Sequence, residues 1–255
     1  MNIFLPQARV LRGCVSLLAL AMAAAVHADT LALYQFTSGS AVATSSATQV
    51  TASAVTMGIT AVSGSNGFSS AGGNVFFRVN QNNSVQQLYS TESLSVEHND
   101  YYTFTLTPDA GTTLNLSQFT AMVGGQSLGG ASSLASDAFT AYFFLRSSLD
   151  GYTSNLASIQ QTVDARAAGA SSTTLIPTAL TADLGSEFSS VGSSVSFRIY
   201  AYVVTTTTSF DQVVRMDDFT VLGAVSAIPE PANLGLVLGG LALVGLALRR
   251  RTFRR

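Results

Sequence analysis

The sequence predicts an all-β protein, an antiparallel β-sandwich, from three observations. Apolar and polar residues alternate in "YYTFTLT" (101–107) and "SVSFRIYAYVV" (194–204), the period of a strand with one buried face. About eight segments of this kind fall between residues 29 and 224, separated by Gly, Ser, Asn and Asp clusters, which is the spacing of short sandwich strands rather than of βαβ units. The one cysteine, Cys14, lies upstream of residue 29, so the body is without disulfides, a cysteine nucleophile or a thiolate zinc site. Two apolar inner faces must hold such a body.

The elements follow in chain order. Arg9 and Arg12, the apolar stretch "VSLLALAMAAAV" and the small-residue site Val26-His27-Ala28 make residues 1–28 a secretory signal, with cleavage expected after Ala28. "LALYQF" (31–36) opens the body as a strand, and residues 37–73, rich in Ser, Thr, Ala and Gly, read as sheet edges and surface loops. "VFFRV" (75–79) and "SLSVEH" (93–98) are strand candidates. In "YYTFTLT" the buried set is Tyr102, Phe104 and Leu106. "TLNLSQFTAMV" (113–123) and "AFTAYFFLR" (138–146) follow as strands, the latter with Arg146 outward and Asp150-Gly151 as the turn beyond it. Residues 154–168 have helical spacing through Leu156, Ile159 and Val163, so this stretch is expected to be a helix or a connecting loop. In "SVSFRIYAYVV" the inward set is Val195, Phe197, Ile199, Ala201 and Val203, against Ser196, Arg198, Tyr200 and Tyr202.

"VVRMDDFTVL" (213–222) breaks the rhythm. Phe219 and Val221 share a face, yet Met216 lies three residues before Phe219, so burying all three requires one extra residue at Asp217-Asp218, a bulge. Two adjacent carboxylates there are solvated, paired with Arg215, or bound to a cation such as calcium, which takes six to eight oxygen ligands. The ectodomain is expected to end at residue 224, with a linker over 225–228.

Charge and residue types narrow the function classes. There is no lysine; seven of the twelve arginines sit at the two ends, and between residues 29 and 228 five arginines face thirteen Asp and Glu, a net charge of about −8. Such a body is poorly suited to nucleic acid. After residue 28 only His98 remains as a histidine, no Gly-x-Ser-x-Gly elbow is present, and among Glu92, Glu97, Asp137 and Glu187 nothing singles out a glycosidase pair. No enzyme is therefore expected. A structural or interaction role needs only export and a durable fold; a carbohydrate-binding module is the alternative, with eight tyrosines but no tryptophan for a stacking platform. A glycan-acting hydrolase comes third.

The end of the chain carries the strongest motif. Pro229-Glu230-Pro231 is followed by fifteen residues without a polar side chain, Leu234 to Leu248, and then by Arg249, Arg250, Arg251, Arg254 and Arg255. As a helix the apolar run covers about 22 Å, short of the roughly 30 Å hydrocarbon core. The arginines would stay cytoplasmic and leave the acidic body outside. In this order the three parts resemble the PEP-CTERM sorting signal of exported proteins in Gram-negative bacteria that make extracellular polysaccharide. The resemblance implies a tail over 229–255 that anchors the protein transiently in the inner membrane, recognition and processing by an exosortase, and release to the cell surface or polysaccharide matrix, where extracellular polysaccharide is a candidate partner. "FTLTPDAGTTLNLSQFT", "FFLRSSLDGYTSN", "SFRIYAYVV" and "VRMDDFTVLG" are similar to a recurrent jelly-roll-like sandwich found on ectodomains with such tails. That second resemblance implies a structural calcium near the final strand, at Asp217 and Asp218.

Overall fold

A computed structural model describes residues 28–59, 66–69, 72–79 and 88–228. The expected signal peptide upstream of Ala28, and the whole tail with Pro229, Glu230, Pro231 and the terminal arginines, lie outside the described residues. In chain order the strands are β1 (Asp29–Tyr34), β2 (Ser45–Ser46), β3 (Val50–Ala52), β4 (Thr56–Met57), β5 (Asn66–Ser69), β6 (Asn74–Arg78), β7 (Tyr101–Pro108), β8 (Thr112–Ser127), β9 (Phe139–Ser147), β10 (Ala157–Val163), β11 (Thr178–Asp183), β12 (Val195–Thr205) and β13 (Gln212–Ala227). One short helix, α1 (Glu92–Glu97), precedes β7.

These strands form two antiparallel sheets. The first has the order β11-β8-β13-β1-β2, with β6 also on β13 and β5 on β6; the second has the order β10-β9-β12-β7-β3, with β4 also on β7. From β7 onward the chain crosses between sheets repeatedly, β8, β11 and β13 lying in the first and β7, β9, β10 and β12 in the second. The two inner faces meet in one core. Phe104 of β7 and Phe197 of β12 pack against Phe119 of β8 and Phe219 of β13, with ring centroids 5.6 Å apart for Phe104–Phe197, 6.2 Å for Phe104–Phe119 and 5.9 Å for Phe119–Phe197. All four rings are buried. Two buried tyrosines satisfy their hydroxyls across the sandwich: Tyr34 of the first sheet donates to the Ser53 carbonyl at 2.8 Å, and Tyr102 of the second to the Phe76 carbonyl at 2.7 Å. Buried hydroxyls left without acceptors would oppose folding, so these bonds fix how the sheets face one another.

The alternation read from the sequence is the alternation observed. Tyr102, Phe104 and Leu106 are buried in β7, and Val195, Phe197, Ile199, Ala201 and Val203 in β12. Ser148–Asp150 makes a 3-10 turn closed by Gly151 at φ 69°, with the Asp150 carboxylate accepting from the Ser154 N–H, so Asp150-Gly151 is the turn expected.

Three expectations are corrected. The stretch 154–168 contains no helix: residues 157–163 are β10, paired with β9 from Ala157↔Leu145 to Val163↔Phe139. Ile159 and Val163 are four apart, a spacing that also keeps two residues on one face of a strand, and pairing with β9 decides between the two. "SLSVEH" is mostly α1 rather than strand, because the Thr91 hydroxyl caps it by accepting from the Leu94 N–H and Glu92 sits favourably in its first turn. The boundary expected at 224 falls inside β13, which runs to Ala227 through the pairs Val225↔Leu114, Ser226↔Thr113 and Ala227↔Thr112. The expected linker 225–228 is therefore mainly strand.

Candidate functional site

Two places on the sandwich gather polar chemistry, one on each outer face. The bulge expected at Asp217-Asp218 is on the first. Asp217 pairs with Met122 and Thr220 with Thr120; between them two residues on β13, Asp218 and Phe219, face one on β8, Ala121, so one residue is extra. Asp218 takes φ 49°, the left-handed conformation that Asp tolerates better than most side chains, and its N–H donates to the Asp217 carboxylate at 2.7 Å. The bulge also marks a change of neighbour. Before it β13 pairs with β6 over Val213–Met216; after it, with β1 over Phe219–Gly223.

A cleft of about 260 Å³ opens there, lined by Asn74, Met122, Gly124, Leu175, Pro177, Asp217 and others. Burial raises the Asp217 carboxyl to about 6, opposed by the Asp218 N–H and reinforced by the Asp218 charge. Arg215 does not pair with it: its guanidinium donates to Gln126 at 3.1 Å and Asn74 at 2.9 Å. Among the described residues no group of three or more His, Cys, Asp or Glu side chains comes together. A calcium held by Asp217 and Asp218 would therefore complete its shell from carbonyl oxygens and water.

The second place is the outer face of the second sheet. Because β9 and β12 are in register, their outward residues form cross-strand pairs: Tyr142↔Tyr202, Phe144↔Tyr200 and Arg146↔Arg198. The rings of Tyr142 and Tyr202 are parallel, 4.5 Å between centroids and 1° between planes; those of Phe144 and Tyr200 lie 4.7 Å apart at 3°. Tyr101 of β7 meets Tyr200 edge-on at 5.0 Å. Val96 of α1 packs on the Tyr101, Phe144 and Tyr200 cluster, which explains why these outward rings are buried while Tyr142 and Tyr202 are only half-buried.

The helix is tied down by a polar network. Glu92 Oε1 accepts from Arg146 Nη2 at 2.7 Å and from Asn155 Nδ2 at 2.9 Å, while Arg146 also donates through Nε to Asn155 at 2.7 Å and through Nη1 to the Tyr152 carbonyl at 2.9 Å. Arg198 lies over Tyr152 at 3.7 Å and Tyr101 at 4.3 Å, a cation–π arrangement. Beneath the C-terminal end of α1, Asp100 is fully buried; one carboxyl oxygen accepts from the Tyr89 N–H at 3.2 Å and the other has no partner among the described residues. Burial raises this carboxyl to about 7, the Tyr89 N–H opposing. Alongside Tyr142 and Tyr202 runs a groove of about 350 Å³, lined by Glu92, Phe144, Ser158 and Gln160 among others.

Of the acids considered from sequence, Glu92 is bound to Arg146, Glu97 is the last residue of α1, Asp137 accepts from the Thr206 hydroxyl, and Glu187 lies in the 3-10 turn Ser186–Phe188. No hydrogen bond joins any two of them among the described residues. His98 is exposed at the end of α1 and stacks on Tyr89 with centroids 3.9 Å apart. Sequence reading placed Tyr200, Tyr202 and Arg198 outward but did not identify the aromatic face. Its signal was present: aromatic or arginine residues at consecutive outward positions, 142-144-146 and 198-200-202.

No protein-family model matches the sequence, and no curated protein matches it. Among solved structures, the K1 cleaved adhesin domain of Lys-gingipain from Porphyromonas gingivalis W83 is similar over 58% of this chain and 72% of that one, at 14% identity and a TM-score of 0.27. The K3 cleaved adhesin domain of the same protein matches over 58% and 72%, at 12% identity and a TM-score of 0.25. A Stig cyclase from Fischerella sp. TAU, solved with an indole compound, matches over 65% and 78%, at 12% identity and a TM-score of 0.24. At TM-scores this low the likenesses bear on neither ligand nor activity.

Proposed function

We propose that this chain is an exported protein with a structural or interaction role at the surface, or in the polysaccharide matrix, of a Gram-negative bacterium. It is delivered by a signal cut after Ala28 and sorted by an exosortase acting on a PEP-CTERM tail, which holds it in the inner membrane until processing. The observation that carries this reading is the three-part tail: Pro229-Glu230-Pro231, the uncharged run Leu234 to Leu248, and the arginines at 249, 250, 251, 254 and 255. Its placement supports the reading, since β13 ends at Ala227 and only Ile228 separates the last strand from the motif. A protease acting there meets chain just outside the folded sandwich. The crossing of strands between two sheets supports a jelly-roll-like description of the ectodomain. Among the described residues no helix is long and apolar enough to cross a membrane.

Intact mass tests the proposal. The extracellular form is expected to begin after Ala28 and to lack the residues beyond the Pro-Glu-Pro region, whereas exosortase-deficient cells should retain an unprocessed, membrane-associated form. Recovery of the extracellular protein with Arg255 still attached would sink it.

A further inference from the structure

We infer that the groove beside Tyr142 is a binding site for a neutral, pyranose-based polysaccharide. This goes beyond sorting and is tested separately from it. The register supplies the first step. Across the second sheet the outward row runs Tyr202 of β12, Tyr142 of β9, Gln160 of β10. Tyr202 covers one face of the Tyr142 ring in a parallel stack, so the other face is on the β10 side, where the groove is lined by Ser158 and Gln160. The stack holds that ring upright, and a rigid aromatic face flanked by polar groups matches a sugar ring, whose C–H bonds form an apolar face and whose hydroxyls project from the rim.

The second step is hydrogen-bonding capacity. Tyr142, Tyr202, Ser158 and Gln160 line the groove, and no side-chain hydrogen bond joins any of them to another described residue. Both donors and acceptors are thus present for vicinal hydroxyls. Glu92 adds an acceptor: Oε1 is held by Arg146 and Asn155, while Oε2 has no partner among the described residues.

Charge selects the kind of sugar. No arginine lines the groove among the described residues; Arg146, which holds the groove-lining Glu92, is already engaged by Glu92, Asn155 and the Tyr152 carbonyl, and the body around it carries a net charge of about −8. A uronic-acid or sulfated chain would meet repulsion without a free partner. A neutral chain meets none, and the groove volume falls in the range of roughly 300–1,000 Å³ typical of small-ligand sites.

Affinity electrophoresis of the purified protein, expressed as the full chain, tests the site with soluble β-glucan, galactomannan and xyloglucan in the gel, and with alginate as the acidic counterpart. At least one neutral polymer should retard the protein and alginate should not. Tyr142→Ala should weaken retardation by roughly tenfold or more, and Gln160→Ala, at an exposed position on β10, by several-fold. Tyr142→Phe keeps the stack and should retain most of the binding; it and Gln160→Ala keep the test valid if Tyr142→Ala does not fold, with melting temperature as the check. Absence of retardation by every neutral polymer, retardation by alginate alone, or binding that a folded Tyr142→Ala and Gln160→Ala leave unchanged would each overturn the inference. Intact mass of the extracellular form is unaffected by any of these outcomes, so the sorting proposal stands or falls apart from this one.

Discussion

At the scale of single residues, Phe197 and Asp100 show how burial acts in opposite directions. Phe197 is fully buried between Phe104, Phe119 and Phe188. Phe197→Ala is expected to lower the free energy of unfolding by roughly 3–5 kcal/mol in denaturant titration, because the removed ring leaves a cavity that neither sheet can close. Asp100 is buried with no cation beside it among the described residues, so folding favours its protonated form: burial raises its carboxyl to about 7 from an ordinary 3.8. The stabilisation is then fully present below about pH 4 and is lost as pH rises to about 7, a loss on the order of 4 kcal/mol for this shift. Asp100→Asn should remove that slope, and wild type should fall relative to the variant between these pH values when both are unfolded in parallel titrations. The calcium that the jelly-roll resemblance implies at Asp217 and Asp218 has its own check. Added calcium should raise the melting temperature and a chelator lower it; an unchanged value, with no metal by elemental analysis, leaves the two carboxylates as a solvated bulge.

At the scale of elements, the bulge in β13 and the cap of α1 are local devices with distant consequences. Met216, Phe219 and Val221 all face the core only because Asp218 is an extra residue. Its deletion restores strict alternation and keeps Met216, Phe219 and Val221 inward, so a variant lacking Asp218 should fold with a cost of roughly 1–2 kcal/mol. An insertion directly after Phe219 should be far more damaging, since it turns Val221 to solvent. Thermal unfolding of the two variants tests this order. The second irregularity, between Leu222 and Gly223, depends on close approach: a Cβ at Gly223 would lie 2.3 Å from the Asn115 carbonyl oxygen. α1 behaves differently. Six residues are too few to form a stable helix alone, and Val96 on the aromatic cluster together with Glu92 on Arg146 keeps it in place.

At the scale of the whole molecule, the sandwich divides its labour between faces. Its inner faces are aromatic and aliphatic and hold the fold without a disulfide. One outer face carries an aromatic row partly covered by α1, with a polar groove beside it; the other carries the bulge and its cleft. The sorting proposal concerns neither face. It rests on chain beyond the sandwich, so the intact-mass measurement and the unfolding measurements report on separable parts of the protein. The acidic character of the body, about −8 between residues 29 and 228, discourages acidic ligands.

What the sequence by itself determined was local and periodic. Alternation over two residues identified β7 and β12 and their buried sets, the three-residue gap from Met216 to Phe219 located the bulge, and Asp150-Gly151 marked a turn; each follows from the geometry of one strand or one turn. Sequence alone led to a helix or loop over 154–168 and a strand over 93–98, where the chain has a strand and a short helix, because the four-residue spacing of Ile159 and Val163 suits helix and strand alike and short segments take the form their neighbours stabilise. Tertiary structure decided those, pairing β10 with β9 and setting α1 on the Tyr101, Phe144 and Tyr200 cluster. It also decided the groove. Tyr142, Tyr202, Ser158 and Gln160 come from three strands, and Glu92 from a helix far earlier in the chain, so only the register of β10, β9 and β12 brings them to one surface.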